Sequence, residues 1–365
     1  MKKITAGTAL VAAAALLLSG CGAAPDESTP AGSASESASS SAAASDFLAC
    51  MVSDEGGFDD ASFNESAYKG LEQAVTDLGV QKKEAESKNA NDYQPNLKAM
   101  HDAKCSLTIT VGFNLANDTK SVAEANTDDH YAILDDDSID LPNVKPIIFK
   151  TSDAAFLAGY LAAGYSKSGT VATFGGMEIP TVTIFMDGFA DGVKQYNEDN
   201  NKSVKLLGWD KETKKGVFTG DFSDLSKGQN ATKNFIDQGA DVVMPVAGPV
   251  GNGAAAAAKE KGGVALVWVD ADGYLTNPDY KDLMLTSVMK EMQSAVFNII
   301  SEAKDGNYSN TPYVGSLAND GVGIAPLHDF ESKVDSTLVA KVDEYKTKIA
   351  SGEYKVTSPS DPKVS

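Results

Sequence analysis

Arginine is missing from this chain: all 31 basic residues are lysine. Arginine supplies the bidentate fork that most often grips phosphate or a free carboxylate. Its absence weakens a nucleotide or a free amino acid as ligand, although lysine and helix N-termini also bind anions. Positive charge is scarce overall, with 51 acidic residues and a net charge of −20 over 365 residues. Such a surface argues against nucleic acid, whose phosphates need cationic partners. It also repels anionic lipid headgroups. Histidine is equally sparse: His101, His130 and His328 are scattered, with no His-Glu-x-x-His, no Gly-x-Ser-x-Gly and no metal-ligand spacing. Enzymatic chemistry, a metal site and a resident cofactor are therefore not expected. Long apolar runs are missing too. Ala9–Leu18 falls short of the roughly 20 residues of a membrane-spanning helix.

What is present begins with that short run. Lys2-Lys3 precedes it and Leu18-Ser19-Gly20-Cys21 follows it. Positive start, apolar middle and small residues at the cut are the layout of a secretory signal. A cysteine directly after Leu-Ser-Gly resembles the bacterial lipobox, which implies that Cys21 is lipidated and becomes the mature N-terminus. Residues 22–46 are almost entirely Ser, Ala, Gly, Pro and acidic, a composition with nothing to bury, so a flexible tether is expected. Cys50 and Cys105 permit one disulfide in an oxidising compartment; two buried free thiols are the alternative.

From Phe47 onward, short apolar runs alternate with amphipathic stretches. Strands are expected at 47–53, 107–112, 131–134, 145–149, 170–174, 204–208, 241–246, 264–269, 283–287 and 322–325. Helices are expected at 62–78, 93–103, 121–126, 154–165, 182–196, 226–238, 253–261, 289–304 and 338–349. Continuous apolar strands between helices mean parallel sheets covered on both faces. A body this long suits two α/β lobes, and ligands of such sheets bind beyond the carboxyl ends of the strands.

The loops at those ends carry the candidate residues. After the first strand, Gly56-Gly57 allows a tight turn, Asp60 or Ser62 can cap the next helix, and Phe63 follows as core packing or a stacking platform. Asp135-Asp136-Asp137 ends another strand and offers acceptors to a ligand, a cation or water. Phe185 and Phe189 are four apart and share a helix face. Gly248-Pro249 loosely imitates a phosphate loop, but the spacing is wrong and Pro249 lacks an N–H. Asp270-Ala271-Asp272 imitates a calcium loop, but its twelfth position is Lys281. Lys290 lies just past a strand.

Taken in order, Asp60-Ala61-Ser62-Phe63-Asn64, the run Phe156–Ala163, Gly175-Gly176-Met177-Glu178-Ile179-Pro180, Phe185-Met186-Asp187-Gly188-Phe189, Gly239-Ala240-Asp241-Val242, Val246-Ala247-Gly248 and Leu285–Lys290 resemble the basic membrane protein, or PnrA-like, family of solute-binding lipoproteins. The resemblance implies a type I periplasmic-binding-protein fold: two doubly wound parallel-sheet lobes joined by three crossovers. It implies lobes at 47–152 plus 273–320 and at 153–272 plus 321–356, after a signal at 1–20 and a tether at 21–46, with a tail at 357–365. It also implies a nucleoside, most often a purine one, carried to the permease and ATPase subunits of an ABC importer by a monomer anchored on the extracytoplasmic face. Phe63 and Phe185 would sandwich the base, Asn64 and Asp135 would bond its edge, and Asp60, Gly248, Asp270 and Lys290 would hold the ribose. A sugar or polyol in the same fold is the alternative.

Overall fold

The computed structural model describes residues 45–363; Cys21, the signal and most of the tether lie outside the described residues. Fourteen strands and ten α-helices alternate along the described chain. The first sheet takes β1 (Leu48–Ser53), β2 (Gln81–Ala85), β3 (Leu107–Val111), β4 (Tyr131–Leu134) and β5 (Val144–Phe149). The second takes β6 (Thr170–Gly175), β7 (Lys205–Leu207), β10 (Val242–Val246), β11 (Ala265–Asp270) and β12 (Met284–Lys290), while β8 (Trp209–Asp210) and β9 (Lys215–Gly216) form a separate ribbon. Late in the chain, β13 (Tyr313–Gly315) joins the first sheet and β14 (Val322–Ile324) the second. The spatial orders are β13-β5-β4-β3-β1-β2 and β14-β12-β11-β10-β6-β7, the same winding used twice. Pairing within both sheets is parallel except between β12 and β14.

Helices α1 (Phe63–Leu78), α2 (Tyr93–Asp102) and α3 (Ala116–Ala125) flank the first sheet; α5 (Pro180–Asn200), α6 (Leu225–Asp237), α7 (Gly251–Lys261) and the short α8 (Gly273–Thr276) flank the second. Two helices change sides. The chain leaves β5 through Lys150 into α4 (Thr151–Tyr165), which packs on α5. It leaves β12 through Glu291 into α9 (Met292–Lys304), which packs on α1. Both crossover residues have nearly the same backbone, φ −79°, ψ 61° at Lys150 and φ −79°, ψ 55° at Glu291. The link from β13 to β14 is the third crossover. Helix α4 is buried almost end to end, which explains its uniformly apolar sequence. A Cβ on its Gly159 would lie 2.2 Å from the Phe189 carbonyl oxygen, so a side chain there would push α5 away. Helix α10 (Ser336–Ala350) packs on α4.

The domain expectation needs one correction. The resemblance implies that residues 273–320 lie wholly in the first lobe, but β12 pairs with β11 over Thr286–Met289 and belongs to the second sheet. Its apolar run extends the β11 edge, and the expected helix at 289 gives way because Met289 and Lys290 pair with Gly323 and Val322. The return to the first lobe comes only after Glu291. The segment 358–363, set apart from both lobes in sequence terms, is docked. Ser358 Oγ donates to Asp187 Oδ2 at 2.5 Å and Ser152 Oγ to Asp361 Oδ1 at 2.6 Å, both on the second lobe. The Lys363 amide donates to Asp137 Oδ2 at 2.6 Å on the first.

Cys50 of β1 and Cys105, just before β3, are joined by a disulfide with their Cα atoms 5.9 Å apart, among buried residues of the first lobe. Replacing both with alanine removes a constraint on the unfolded chain. Urea denaturation of that variant is expected to show a loss of about 2–4 kcal/mol. An unchanged midpoint would mean that the bond constrains nothing the unfolded chain explores.

Candidate functional site

The carboxyl ends of both sheets face one cleft. All eight sequence candidates, Asp60, Phe63, Asn64, Asp135, Phe185, Gly248, Asp270 and Lys290, line it. Asp54, Phe113 and Phe222 line it as well, and the strand-end reading did not single them out.

The loop after β1 is built around Asp60. Its Oδ1 accepts from the Ser62 and Glu65 amides at 2.9 and 3.0 Å, and its Oδ2 from the Asn64 amide at 3.0 Å. Asp60 is therefore the cap of α1; the Ser62 side chain makes no capping bond. With both oxygens engaged, Asp60 is committed to shaping the loop, which limits the ribose role the resemblance implied. The cap presents Asn64, whose Nδ2 donates to Asp54 Oδ1 at 3.2 Å and leans on Asp60 Oδ2 at 3.4 Å. Its Oδ1 is left buried and without a partner among the described residues.

Asp135 follows β4 and Asp270 ends β11, equivalent strands of the two sheets. Both take left-handed backbone, φ 63° and 69°, a conformation side chains other than glycine rarely adopt. Between them lies Lys290, 3% exposed. Its Nζ is 2.6 Å from Asp135 Oδ2 and 3.6 Å from Asp270 Oδ1. It also sits 5.0 Å from the Phe185 ring centre and 5.2 Å from that of Phe63. Burial works against the ammonium, but Asp135 and Asp270 outweigh it and raise its pKa. Burial pushes Asp270 up to about 6 despite Lys290, with Asp135 adding to the rise. Burial likewise raises Asp60, and raises Asp54 well above the usual carboxylate range. Asp270 Oδ2 lies 3.1 Å from Ser62 Oγ, while its Oδ1 has no hydrogen-bond partner among the described residues.

The aromatic walls differ from the expectation in one respect. Phe63 is half-buried and lines the cleft, and Phe189 is wholly core. Phe185 lines the cleft but is 1% exposed, so it offers little open face. Phe222, half-buried, covers Gly176 and reaches Gly248, adding a second-lobe ring to the wall. It follows the β8–β9 ribbon rather than a sheet strand, so no strand-end signal marks it. Three contacts join the lobes here: Lys290 to Asp135, Ser62 to the end of β11, and Trp268 Nε1, which donates to the Ala61 carbonyl at 3.3 Å. No cluster suited to holding a metal ion occurs among the described residues.

Two doubly wound lobes, three crossovers and a cleft between them make the type I periplasmic-binding-protein fold. Residues 47–359 match the family described as ABC transporter substrate-binding protein PnrA-like, and the chain belongs to that family of binding proteins rather than enzymes. It is 32% identical to a CD4+ T-cell-stimulating antigen of Listeria monocytogenes, over 98% of this chain and 99% of that one. It is 29% identical to the ABC transporter nucleoside-binding protein BmpA of Lactococcus lactis, over 94% and 96% of the two chains. Among solved structures, an ABC transporter solute-binding protein of Aeropyrum pernix superposes with a TM-score of 0.77, covering 86% of this chain and 94% of that one at 23% identity.

The raised Asp270 pKa carries a sign. A carboxyl that holds its proton more tightly folded than unfolded destabilises the fold once ionised, so stability is lost as pH rises from about 4 through about 6. The stability of Asp270→Asn relative to wild type is expected to improve by about 2–3 kcal/mol between pH 4 and pH 7.5, read by urea denaturation at each pH. A difference that does not move with pH would place the carboxyl in an environment far less desolvating than its burial indicates.

Proposed function

We propose that this protein captures nucleosides, purine ones foremost, between its lobes and delivers them to the permease and ATPase subunits of an ABC importer. In this reading it acts as a monomer, held on the extracytoplasmic face of the membrane by lipid on Cys21. The observation that carries the ligand class is the orphaned buried acceptor Asn64 Oδ1, beside an Asp270 Oδ1 that makes no hydrogen bond and has only the 3.6 Å approach of Lys290, in one aromatic-walled cleft. Buried acceptors demand donors. A base N–H and a ribose hydroxyl supply them, and Phe63, Phe185 and Phe222 supply apolar surface for a flat ring.

The charge balance supports a neutral ligand. Lys290 is the only cation among the cleft-lining residues, and it is already engaged by Asp135 and Asp270. A phosphate would face Asp54, Glu55, Asp60, Asp135 and Asp270 with no free partner. Three cross-lobe contacts flank the cleft, so a ligand that grips both lobes favours the closed arrangement.

A thermal-shift panel on ligand-stripped protein tests this. Nucleosides at about 100 times their dissociation constant should stabilise by about 2.7 kcal/mol, whereas AMP and ribose should not. A shift with sugars alone would keep the fold and overturn the ligand. Phe63→Ala is expected to weaken nucleoside binding by about 1–3 kcal/mol with the urea midpoint nearly unchanged; undiminished affinity would remove Phe63 from the site. Cys21→Ala should move the protein from the membrane fraction to the medium, and retention on the membrane would exclude lipid on Cys21 as the anchor.

A further inference from the structure

The cleft holds more carboxylates than it has charge to offset. Asp135 and Asp270 share Lys290. Asp60 receives three backbone N–H bonds at the N-terminus of α1, where an anion is favoured. Asp54 has neither. It is 9% exposed, and among the described residues the one hydrogen bond its carboxyl receives is from Asn64 Nδ2. The groups that face it are Glu55 on its own loop, Asp60 before α1, Asp135 after β4 and Tyr93 on α2, all acidic or neutral. Asp54 forms no ion pair among the described residues. Of the four aspartates in the cleft, it is the one with the least to support a negative charge.

The hydrogen-bond pattern assigns that proton to one oxygen. Asp54 Oδ1 already accepts from Asn64, which leaves Oδ2 to carry the hydrogen. Oδ2 lies against Gly112, which also lines the cleft; φ there is +121° and a Cβ would lie 2.1 Å from Oδ2. Glycine there keeps both the backbone turn and the space that Oδ2 occupies. The neighbouring Asn64 amide is pinned by two carboxylates, so its orphaned Oδ1 stays an acceptor.

We propose that Asp54 meets the ligand as an uncharged carboxylic acid whose Oδ2–H donates to the base, and that loss of this proton changes the base edge the site accepts. With the proton on, Asn64 and Asp54 present one acceptor beside one donor. That pair matches an N–H beside a lone pair, as in the N1–H and O6 of inosine. With the proton off, they present two acceptors, which match two adjacent N–H groups. Guanosine has these in N1–H and its N2 amino group; inosine lacks the second. The strong upward push of burial on Asp54 agrees with the charge count. Asp54 is thus a specificity-determining residue, and this role rests on the nucleoside reading above.

The test is calorimetric titration of the wild-type protein with inosine and guanosine from pH 5.5 to 8, below the range where the bases lose N1–H. Once pH passes the Asp54 pKa, inosine affinity should fall about tenfold per unit, with proton uptake on binding, while guanosine affinity holds. The guanosine-to-inosine ratio should therefore rise at least tenfold. In Asp54→Asn, which keeps a donor and cannot ionise, the ratio should stay level. A level ratio in the wild type overturns the proposal. So does a ratio that still climbs in Asp54→Asn, which would assign the effect to Asp270. Failure of both nucleosides to bind at any pH would instead remove the nucleoside reading itself.

Discussion

The ammonium of Lys290 is the charge around which the two lobes are arranged. It comes from the second sheet, pairs with Asp135 of the first and Asp270 of the second, and lies near the Phe63 and Phe185 rings. A cation this deeply buried is tolerated only because its partners are in place. Removing one partner from such a group costs about 3–5 kcal/mol, because the charge left behind has no water to turn to. The same dependence runs outward. Asp135 is held where it is by a left-handed turn at the end of β4, and Asp270 by its counterpart at the end of β11. Without Lys290 between them, two carboxylates would face each other across the cleft.

Repetition of one winding explains how a single lysine reaches both lobes. Each sheet reverses its strand order beside its first strand, and each sends its loops over the same edge. When the two edges meet, every loop with ligand chemistry meets as well. The first lobe contributes the Asp60-capped turn, Asn64 and Asp135; the second contributes Gly248, Phe222, Asp270 and Lys290. The polar atoms left over, on Asn64 and Asp270, have no hydrogen-bond partner among the described residues and define what a ligand must bring.

Much of this was legible in the residues. The buried strands are continuous apolar runs, and β1, β3, β4, β5, β6, β10 and β11 lie within a residue or two of their expected bounds. Strand β2, reading Gln-Lys-Lys-Glu-Ala, carried no apolar signal because it is an edge strand, where charge guards against pairing with other chains. The last residues of β12 read as helix because Met289 and Lys290 continue into the amphipathic pattern of α9; the pairing with β14 that holds them extended is non-local. Phe222 and Asp54 escaped for different reasons. Phe222 reaches the cleft from a ribbon loop by tertiary packing alone. Asp54 reads as one acid among several, and it is set apart by having neither a cation nor backbone N–H donors at its carboxyl.

Lys290 stands next to Glu291, one of the residues through which the chain passes between lobes. Rotation about a hinge displaces atoms in proportion to their distance from its axis. A group beside the pivot travels little. Lys290 therefore stays near its partners as the lobes turn, and the Phe63 and Phe185 rings, 5.2 and 5.0 Å from its ammonium, share its short lever arm.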